Sequence, residues 1–136
     1  MSESANLTPC VTVSVVVPCY NQEDTISRCL TSLINQNYPA EDYEIFLADN
    51  GSSDRSVEIA RQFCRVRLIQ EFQRGGFAAR NTAVRQTSGS ILVFTDGDCE
   101  AGADWLQSIV TAFEEPQVVM ILGANRFAKE TFFLRT

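Results

Sequence analysis

The sequence predicts an α/β fold, with a mostly parallel sheet and helices on both of its faces. Strand-like apolar runs alternate with helix-like runs along the 136-residue chain. The first run, Val13–Pro18, is rich in β-branched residues without polar alternation, which is typical of a strand covered on both faces. Polar, turn-rich segments follow several of these runs. Repeated strand–helix units of this length favour parallel strands joined by right-handed crossovers.

The first strand–helix unit and the second strand are set by simple periodicities. Pro18 ends the first strand because proline cannot donate to a strand ladder. Apolar side chains then recur at helical spacing between Thr25 and Gln36, which predicts the first helix. Tyr43–Ala48 is the second predicted strand. Residues 49–54 tolerate unusual backbone angles, and they predict a turn at the end of that strand.

The next unit is shorter and ends in a glycine-containing segment. Apolar spacing from Val57 to Cys64 predicts the second helix, and Val66–Gln70 is a short third strand. The segment Arg74–Asn81 opens a third helix, which Gly89 closes. We therefore expect this segment to stand between the third and fourth strands.

The last third of the chain repeats the pattern. Ser90–Thr95 is the fourth predicted strand. The spacing of apolar residues over Trp105–Phe113 predicts the fourth helix, which ends before Pro116. Val118–Leu122 is apolar and β-branched, and it predicts a fifth strand.

Composition excludes several functional classes. Eleven basic against seventeen acidic residues give a net charge of −6, so we expect no nucleic-acid partner. No run approaches the roughly 18 apolar residues of a membrane span. The chain has no histidine, and its five cysteines include no Cys-x-x-Cys pair, which argues against structural zinc and histidine triads. Free thiols favour a reducing compartment, so we expect a cytoplasmic protein, with peripheral association at the inner membrane face as a further expectation.

The tripeptide Asp96-Gly97-Asp98 follows the fourth apolar run directly. Two carboxylates at the end of one strand converge on a point where a divalent cation bridging to phosphate suits the charge. The pair therefore predicts a Mg²⁺ or Mn²⁺ site. A plain turn, with aspartates at its ends and the glycine supplying a positive φ, remains the alternative.

The loops after the first two strands carry aromatic and acidic residues. Tyr20 could stack on a nucleobase while Glu23 accepts a hydrogen bond from a ribose hydroxyl, or the two could simply cover the sheet edge and bias the next helix. Asp49 could accept from the N3–H of uracil or form an Asx-turn, and these two roles are compatible. Asp54 is better suited to capping.

The third loop brings a permanent cation beside two glycines. Arg74 precedes Gly75-Gly76, where the backbone can approach a ligand closely. The segment is neither a Gly-x-Gly-x-x-Gly nor a Walker pattern, which argues against dinucleotide binding and ATP hydrolysis. One helical turn further on, Arg80 either reaches the acidic loops or is a solvated helix residue. Asn81 follows it.

Taken in order, residues 15–23, 48–54, 75–81 and 94–98 resemble the family 2 glycosyltransferases of the GT-A fold. The resemblance covers residues 12–124, with 1–11 as a flexible tail. It implies a nucleotide-sugar donor, with a UDP-sugar expected, and a metal-assisted, inverting transfer to a saccharide, lipid or protein acceptor. The residues it assigns to nucleotide-sugar binding are Pro18, Tyr20, Glu23, Asp49, Arg80, Asn81 and Asp96. Asp98 and Asp96 are assigned to the metal.

The resemblance weakens on the acceptor side. Members of the family usually exceed 200 residues, and a later acidic motif supplies their general base. Here no Glu-Asp pair follows the fifth predicted strand, so the catalytic base is unknown and Glu100 is the fallback candidate. Residues 125–136 would begin the acceptor-side region. The apolar end Phe132-Phe133-Leu134 is either a truncation or a homodimer contact.

Two functions follow from these features. The leading interpretation is a glycosyltransferase, with this chain carrying mainly the donor-binding half. The alternative is a non-catalytic nucleotide-diphosphate-binding or interaction module derived from the same fold.

Overall fold

The computed structural model describes residues 12–73 and 77–123. One parallel sheet has the strand order β3-β2-β1-β4, formed by β1 (Val13–Cys19), β2 (Tyr43–Asp49), β3 (Val66–Gln70) and β4 (Ile91–Phe94). The helices are α1 (Ile26–Ile34), α2 (Ser56–Ala60), α3 (Ala78–Val84) and α4 (Trp105–Phe113). The predicted α/β class and its parallel sheet are confirmed. None of the helices in the described part of the chain is long and apolar enough to cross a membrane.

Both faces of the sheet are covered, as the apolar composition of β1 predicts. On one face, α1, α2 and α4 pack over the strands through the buried residues Ile26, Leu30, Leu33, Ala60 and Leu106. On the other face, Ala79 and Ala83 of α3 pack against Val16, Phe46 and Ala48. The small side chains of α3 let its backbone lie close to the strands, and this brings the start of the helix to the carboxyl edge of β1 and β2.

The strand order reverses at β1, which lies between β2 and β4. The chain builds outward from β1 through β2 to β3 and then returns to the other side of β1. The first loop (residues 20–25) and the turn after β4 therefore flank the point of reversal. In sheets of this kind, ligands bind beyond the carboxyl ends of the strands at that point.

The predicted fifth strand is wrong for the described residues. Residues 118–123 have no regular secondary structure, and Val119 and Leu122 are each 88% exposed. A strand forms only where a neighbour accepts and donates its backbone hydrogen bonds, and the described sheet ends at β4. The apolar, β-branched composition of this segment favours a strand, but no neighbouring strand is present to pair with it in the described part of the chain.

Two helices are shorter than their patterns predict. The second helix ends at Ala60, and Phe63 instead closes a tight turn by donating its N–H to the Ala60 carbonyl at 3.1 Å. The third helix ends at Val84 rather than near Gly89. The Thr87 hydroxyl donates a hydrogen bond to the Val84 carbonyl at 2.7 Å, and this bond replaces a helical one. The predicted opening of this helix at residues 74–76 lies outside the described residues.

A buried carboxylate joins the strands at the opposite, amino-terminal edge of the sheet. Glu44 accepts hydrogen bonds from the Ser14 hydroxyl at 2.6 Å and from the Ser88 N–H at 2.7 Å, and Arg67 lies 3.4 Å away. The Gly89 N–H in turn donates to the Ser14 hydroxyl at 2.8 Å. A side chain at Gly89 would stand 2.6 Å from the Ser14 nitrogen, so only glycine allows this approach.

We predict that Glu44→Gln destabilises the protein and reduces its sensitivity to acid. Burial acts to raise the pKa of Glu44, but the hydrogen bonds from Ser14 and Ser88 outweigh it and hold the pKa below its ordinary value of 4.5. The charged form therefore stabilises the fold fully above pH 4.5, and this contribution is lost as the pH falls through the lower folded-state pKa. At neutral pH, urea denaturation should show a loss of about 2 kcal/mol in the free energy of unfolding.

The variant should also show a shallower fall in stability than the parent below pH 4.5. Glu58→Gln is the matched control, because Glu58 is an exposed acid paired with Arg55, the residue just before α2. If stability falls below pH 4.5 as steeply in Glu44→Gln as in the parent, Glu44 is not the group that causes the acid sensitivity.

Candidate functional site

A cleft of about 170 Å³ opens at the carboxyl ends of β1 and β2, beside the start of α3. Its lining residues are Pro18, Cys19, Tyr20, Gln22, Ala48, Asn50, Ala79 and Arg80. Three of the residues predicted to bind a nucleotide, Pro18, Tyr20 and Arg80, are therefore brought together. Tyr20 is 60% exposed, so its ring face is available to a ligand.

The first loop is bonded directly to the loop that follows β2. Asn21 adopts a left-handed conformation (φ 50°), which asparagine tolerates better than most residues. Its side-chain oxygen accepts hydrogen bonds from the N–H groups of Ser53 at 2.8 Å and Asp54 at 3.3 Å. Its own N–H donates to the Ser52 hydroxyl at 2.9 Å. The two loops are thus held as one unit above the sheet edge.

A reciprocal pair of acidic residues extends this connection. The Glu23 N–H donates to Asp54 at 3.0 Å, and Glu23 accepts from the Arg55 N–H at 3.1 Å. Asp54 also accepts from the N–H of Ser56 at 2.9 Å and from its hydroxyl at 2.6 Å. Asp54 therefore caps the first N–H of α2 from the position before the N-cap residue Arg55, and it also joins the two loops. Glu23 does not line the cleft, and its contact with a ribose stays a prediction.

Asp49 lies buried at the base of the same loop, with 1% of its surface exposed. One of its oxygens accepts from the N–H groups of Gly51 and Ser52, both at 3.1 Å, and the other accepts from the Ser52 hydroxyl. Gly51 has a φ of 81°, which glycine adopts without strain. The Asx-turn interpretation of Asp49 is confirmed. Its contact with uracil stays a prediction, and Ala48 and Asn50 line the cleft in its place.

Cys19, which the sequence did not single out, lies between this turn and the cleft. Burial raises the pKa of the Cys19 thiol to about 11, and the neighbouring charges of Asp49 and Asp54 act in the same direction. The thiol is therefore neutral near pH 7, where it packs as a small apolar group.

Arg80 fits neither of the two alternatives that the sequence left open. Its guanidinium carbon lies 4.4 Å from the ring centre of Phe77 and 5.2 Å from that of Phe94, so the cation lies over two aromatic rings. No ion pair to an acidic loop forms within the described residues. Asn81 is exposed on the next position of α3 and does not line the cleft. Arg74 lies outside the described residues.

The acidic turn gathers three metal-ligand atoms. Oxygens of Asp96 and Asp98 and the Sγ of Cys99 all lie within 4.8 Å of one another, and both aspartates are exposed. The Cys99 N–H donates to the Asp96 carbonyl at 3.0 Å, which closes the turn. On the other side, the thiol of Cys29 donates to the same carbonyl at 3.4 Å. The sequence identified the two aspartates but missed Cys99.

The role expected of Gly97 in the plain-turn alternative was a positive φ, and this is wrong. Among the described glycines, Gly51 is the one in the left-handed region. Gly97 is required instead by close approach, because an added side chain would collide with the carboxamide of Gln22 and stand 3.1 Å from the Cδ1 of Ile26. Gln22 lines the cleft as well, so one residue contacts both the cleft and the acidic turn.

One feature of the acidic turn suits a divalent cation, and a second points to a further bound group. Its donor set is dominated by carboxylate oxygen, which Mg²⁺ and Mn²⁺ prefer. In addition, the Oε1 of Gln22 is buried against the turn without a hydrogen-bond partner among the described residues. An orphaned buried acceptor is uncommon in a folded protein and points to a missing donor, such as a water or a ligand.

The candidate base Glu100 lies just beyond this turn. Its carboxylate is 3.7 Å from the guanidinium of Arg28, and both side chains are exposed. An exposed pair of this kind contributes little to stability, so the carboxylate can leave Arg28 at low cost. Its role as a base stays a prediction.

The chain resembles known glycosyltransferases in sequence. It is 42% identical to glycosyltransferase AglE of Haloferax volcanii over 120 residues, which cover 85% of this chain and 40% of AglE. It is 38% identical to the poly(ribitol-phosphate) beta-glucosyltransferase of Bacillus spizizenii, covering 82% of this chain and 18% of that protein. The chain therefore spans less than half the length of either relative.

Solved structures agree with this similarity. S. aureus TarS 1–349 in complex with UDP superposes with a TM-score of 0.71 at 28% identity, covering 76% of this chain and 32% of that one. The mannosyltransferase PcManGT of Pyrobaculum calidifontis, in complex with GDP-Man and Mn²⁺, gives a TM-score of 0.73 at 30% identity, covering 83% and 36%. Both likenesses confirm the predicted GT-A fold.

The pattern described as "Glycosyl transferase family 2" matches residues 14–136, which is nearly the whole chain. The predicted resemblance is confirmed, and the chain belongs to glycosyl transferase family 2.

Proposed function

We propose that this chain forms the donor side of a metal-dependent, inverting glycosyltransferase that uses a UDP-sugar. The observation that carries the proposal is the cleft beside Tyr20 and Arg80, which adjoins the Asp96–Gly97–Asp98 turn through Gln22. A nucleoside and its diphosphate need neighbouring sites of different chemistry. The cleft offers an aromatic ring, and the turn offers carboxylates.

The nucleoside would occupy the cleft. Tyr20 presents an exposed ring on which a base can stack, and the Asp49 turn lies at the end of the adjoining strand. A carboxylate has about four acceptor sites, and the protein fills three of those on Asp49. Asp49 is 1% exposed, so a base N–H would use the fourth site only through a small shift of the Ala48–Asn50 backbone that lines the cleft. The UDP complex of the TarS fragment supports uridine as the nucleoside, while the GDP-Man complex of PcManGT keeps guanosine as the competing choice.

The diphosphate would lie toward the acidic turn. Asp98 and Asp96 would hold Mg²⁺ or Mn²⁺, which when bound supplies Lewis-acid stabilisation of charge on the leaving diphosphate. Phosphate cannot approach two bare carboxylates without a counterion, because like charges repel. The Mn²⁺ of the PcManGT complex supports a cation in this chain as well.

The acceptor hydroxyl needs a base near the anomeric carbon. Among the described acids beyond the turn, Glu100 is the candidate, since it is exposed and only loosely paired with Arg28. Inversion then follows from a single displacement, in which the base takes the acceptor proton as the hydroxyl oxygen attacks and the diphosphate leaves.

We predict that the chain binds UDP in a metal-dependent manner. Calorimetric titration with UDP in Mn²⁺ should give a clear binding isotherm that weakens at least about tenfold in EDTA. Titrations with GDP and ADP, run under the same conditions, test the nucleoside. Equal affinity in EDTA would remove the metal from the proposal, and a preference for GDP or ADP would remove uracil recognition by Asp49.

We predict that Asp98→Asn weakens UDP binding in Mn²⁺ by at least about tenfold without lowering stability. Asp96 and Asp98 are exposed, close together and of like charge, so neutralising one relieves repulsion in the metal-free protein. The melting temperature without metal should stay the same or rise. Glu58→Gln is the control, because it removes the same charge from an exposed position on α2. A large fall in melting temperature would make Asp98 a structural turn residue.

We predict that the 136-residue chain transfers sugar slowly even where it binds donor. The proposal assigns mainly the donor side to this chain, and positioning of the acceptor and its base supplies much of the rate of transfer. Product formation should be measured with a panel of UDP-sugars and acceptors and separated from donor hydrolysis. Arg28→Gln is the matched control, since it breaks the ion pair and keeps the Glu100 carboxylate. Robust transfer that Glu100→Gln abolishes and Arg28→Gln retains would contradict slow transfer and identify Glu100 as the base. Binding without any transfer would favour a non-catalytic nucleotide-binding module.

A further inference from the structure

Gln22 lines the cleft, and its side chain packs against the acidic turn. Its carboxamide packs directly on Gly97, close enough that an added side chain there would stand 3.0 Å from the Gln22 Cδ. The Oε1 atom is buried and has no hydrogen-bond partner within residues 12–73 and 77–123. The contact therefore fixes the position of the turn while leaving a polar atom unsatisfied.

The backbone of Gln22 is held firmly, so this placement is not a loose surface conformation. Its N–H donates to the Ser56 hydroxyl at 2.8 Å. Its carbonyl accepts from the N–H of Ile26 at 2.9 Å and from the N–H of Thr25 at 3.1 Å, at the start of α1. The side chain thus leaves a fixed point and reaches the turn between Asp96 and Asp98.

A second glutamine of the same fold shows what a structural role requires. Gln36 is buried, and its Nε2 donates to the carbonyls of Ser32 at 3.0 Å and Gly102 at 2.6 Å. Its Oε1 accepts from the Leu106 N–H at 2.9 Å. The carboxamide of Gln36 joins α1 to α4 with its oxygen and nitrogen both bonded. Gln22 has the same chemistry and burial of its oxygen, but its oxygen lacks the donor.

An unpaired buried carbonyl destabilises a protein relative to an apolar group of the same shape. The fold alone would therefore be served better at this position by a side chain such as methionine. A glutamine at this position makes sense if a ligand brings the donor for its Oε1, because the missing hydrogen bond is then made in the bound state.

We propose that Gln22 is a positioning residue for the Asp96–Gly97–Asp98 turn, and that its Oε1 gains a hydrogen-bond donor when the nucleotide–cation complex binds. The donor is a hydroxyl of the nucleotide or a water carried by the complex. This inference rests on the proposed function and deepens it, since it couples the nucleoside cleft to the cation site through one residue.

The test compares Gln22→Met with Gln36→Met. The same change is made at a glutamine whose Oε1 lacks a hydrogen-bond donor and at one whose Oε1 has a donor. Melting temperatures are measured without ligand, and affinities for UDP by calorimetry with Mn²⁺ and with EDTA. We expect Gln22→Met to keep or raise the melting temperature and to weaken UDP binding in Mn²⁺ about tenfold, the scale seen when residues that orient metal ligands are removed. Gln36→Met should lower the melting temperature and leave the affinity of the folded protein unchanged.

A second pair of variants tests the packing itself. Gly97→Ala should displace the Gln22 carboxamide and weaken UDP binding in Mn²⁺, because the turn loses its support. Adding Gln22→Ser makes room for the new methyl group and should recover the melting temperature that Gly97→Ala loses. Strictly additive effects of the two changes would contradict the contact on which the inference depends.

The outcomes separate the inference from the proposed function. If the parent chain binds no UDP with or without Mn²⁺, both are overturned. If the parent binds and Gln22→Met binds equally well, only the positioning role is overturned. A fall in melting temperature for Gln22→Met as large as that for Gln36→Met would also overturn it, since the residue would then be structural.

Discussion

The hydrogen bonds between the loops after β1 and β2 are the interaction on which the candidate site depends. Parallel strands bring their carboxyl ends to one edge, where each loop must satisfy its own backbone polar groups. Here Asn21 accepts from two N–H groups of the second loop, and Glu23 and Asp54 each accept from a backbone N–H of the other loop. The loops therefore stabilise each other. Tyr20 and Gln22 project from a rigid support rather than from a free segment.

The same constraint explains the opposite edge of the sheet. At the amino ends of the strands, the buried Glu44 carboxylate accepts hydrogen bonds from Ser14 and Ser88. That network anchors the approach to β4 against β1 through Gly89. Because β4 leads directly into the acidic turn, the height of Asp96 relative to the cleft is set in part by contacts at the far end of the strand.

Much of the fold was predictable because strong periodicities reflect burial. The apolar composition of β1 and the helical spacing in α1 gave both elements and the faces they bury. The fifth strand failed because a strand needs a partner that local sequence cannot supply. The sequence predicted that the site lies in the loops at the carboxyl edge of the sheet. It did not predict Cys99, the Gln22–Gly97 contact or the stacking of Arg80. The Gln22–Gly97 contact and the stacking of Arg80 on Phe94 join residues far apart in the chain, so no local pattern signals them. Cys99 is next to Asp98, but a lone cysteine without a Cys-x-x-Cys partner gives no metal-site pattern.

The number of donors supplied by the protein separates structural acids from those that face a ligand. Glu44 receives four hydrogen bonds or charged contacts, and Asp54 receives three hydrogen bonds from the protein. Within the described residues, by contrast, the carboxylates of Asp96 and Asp98 receive only a thiol at 3.5 Å. A fold can bury a carboxylate only where it provides donors, and it leaves exposed the carboxylates that it does not satisfy. By the same measure the unpaired oxygen of Gln22 belongs with the two aspartates, since all three are acceptors that the protein alone leaves without an adequate partner.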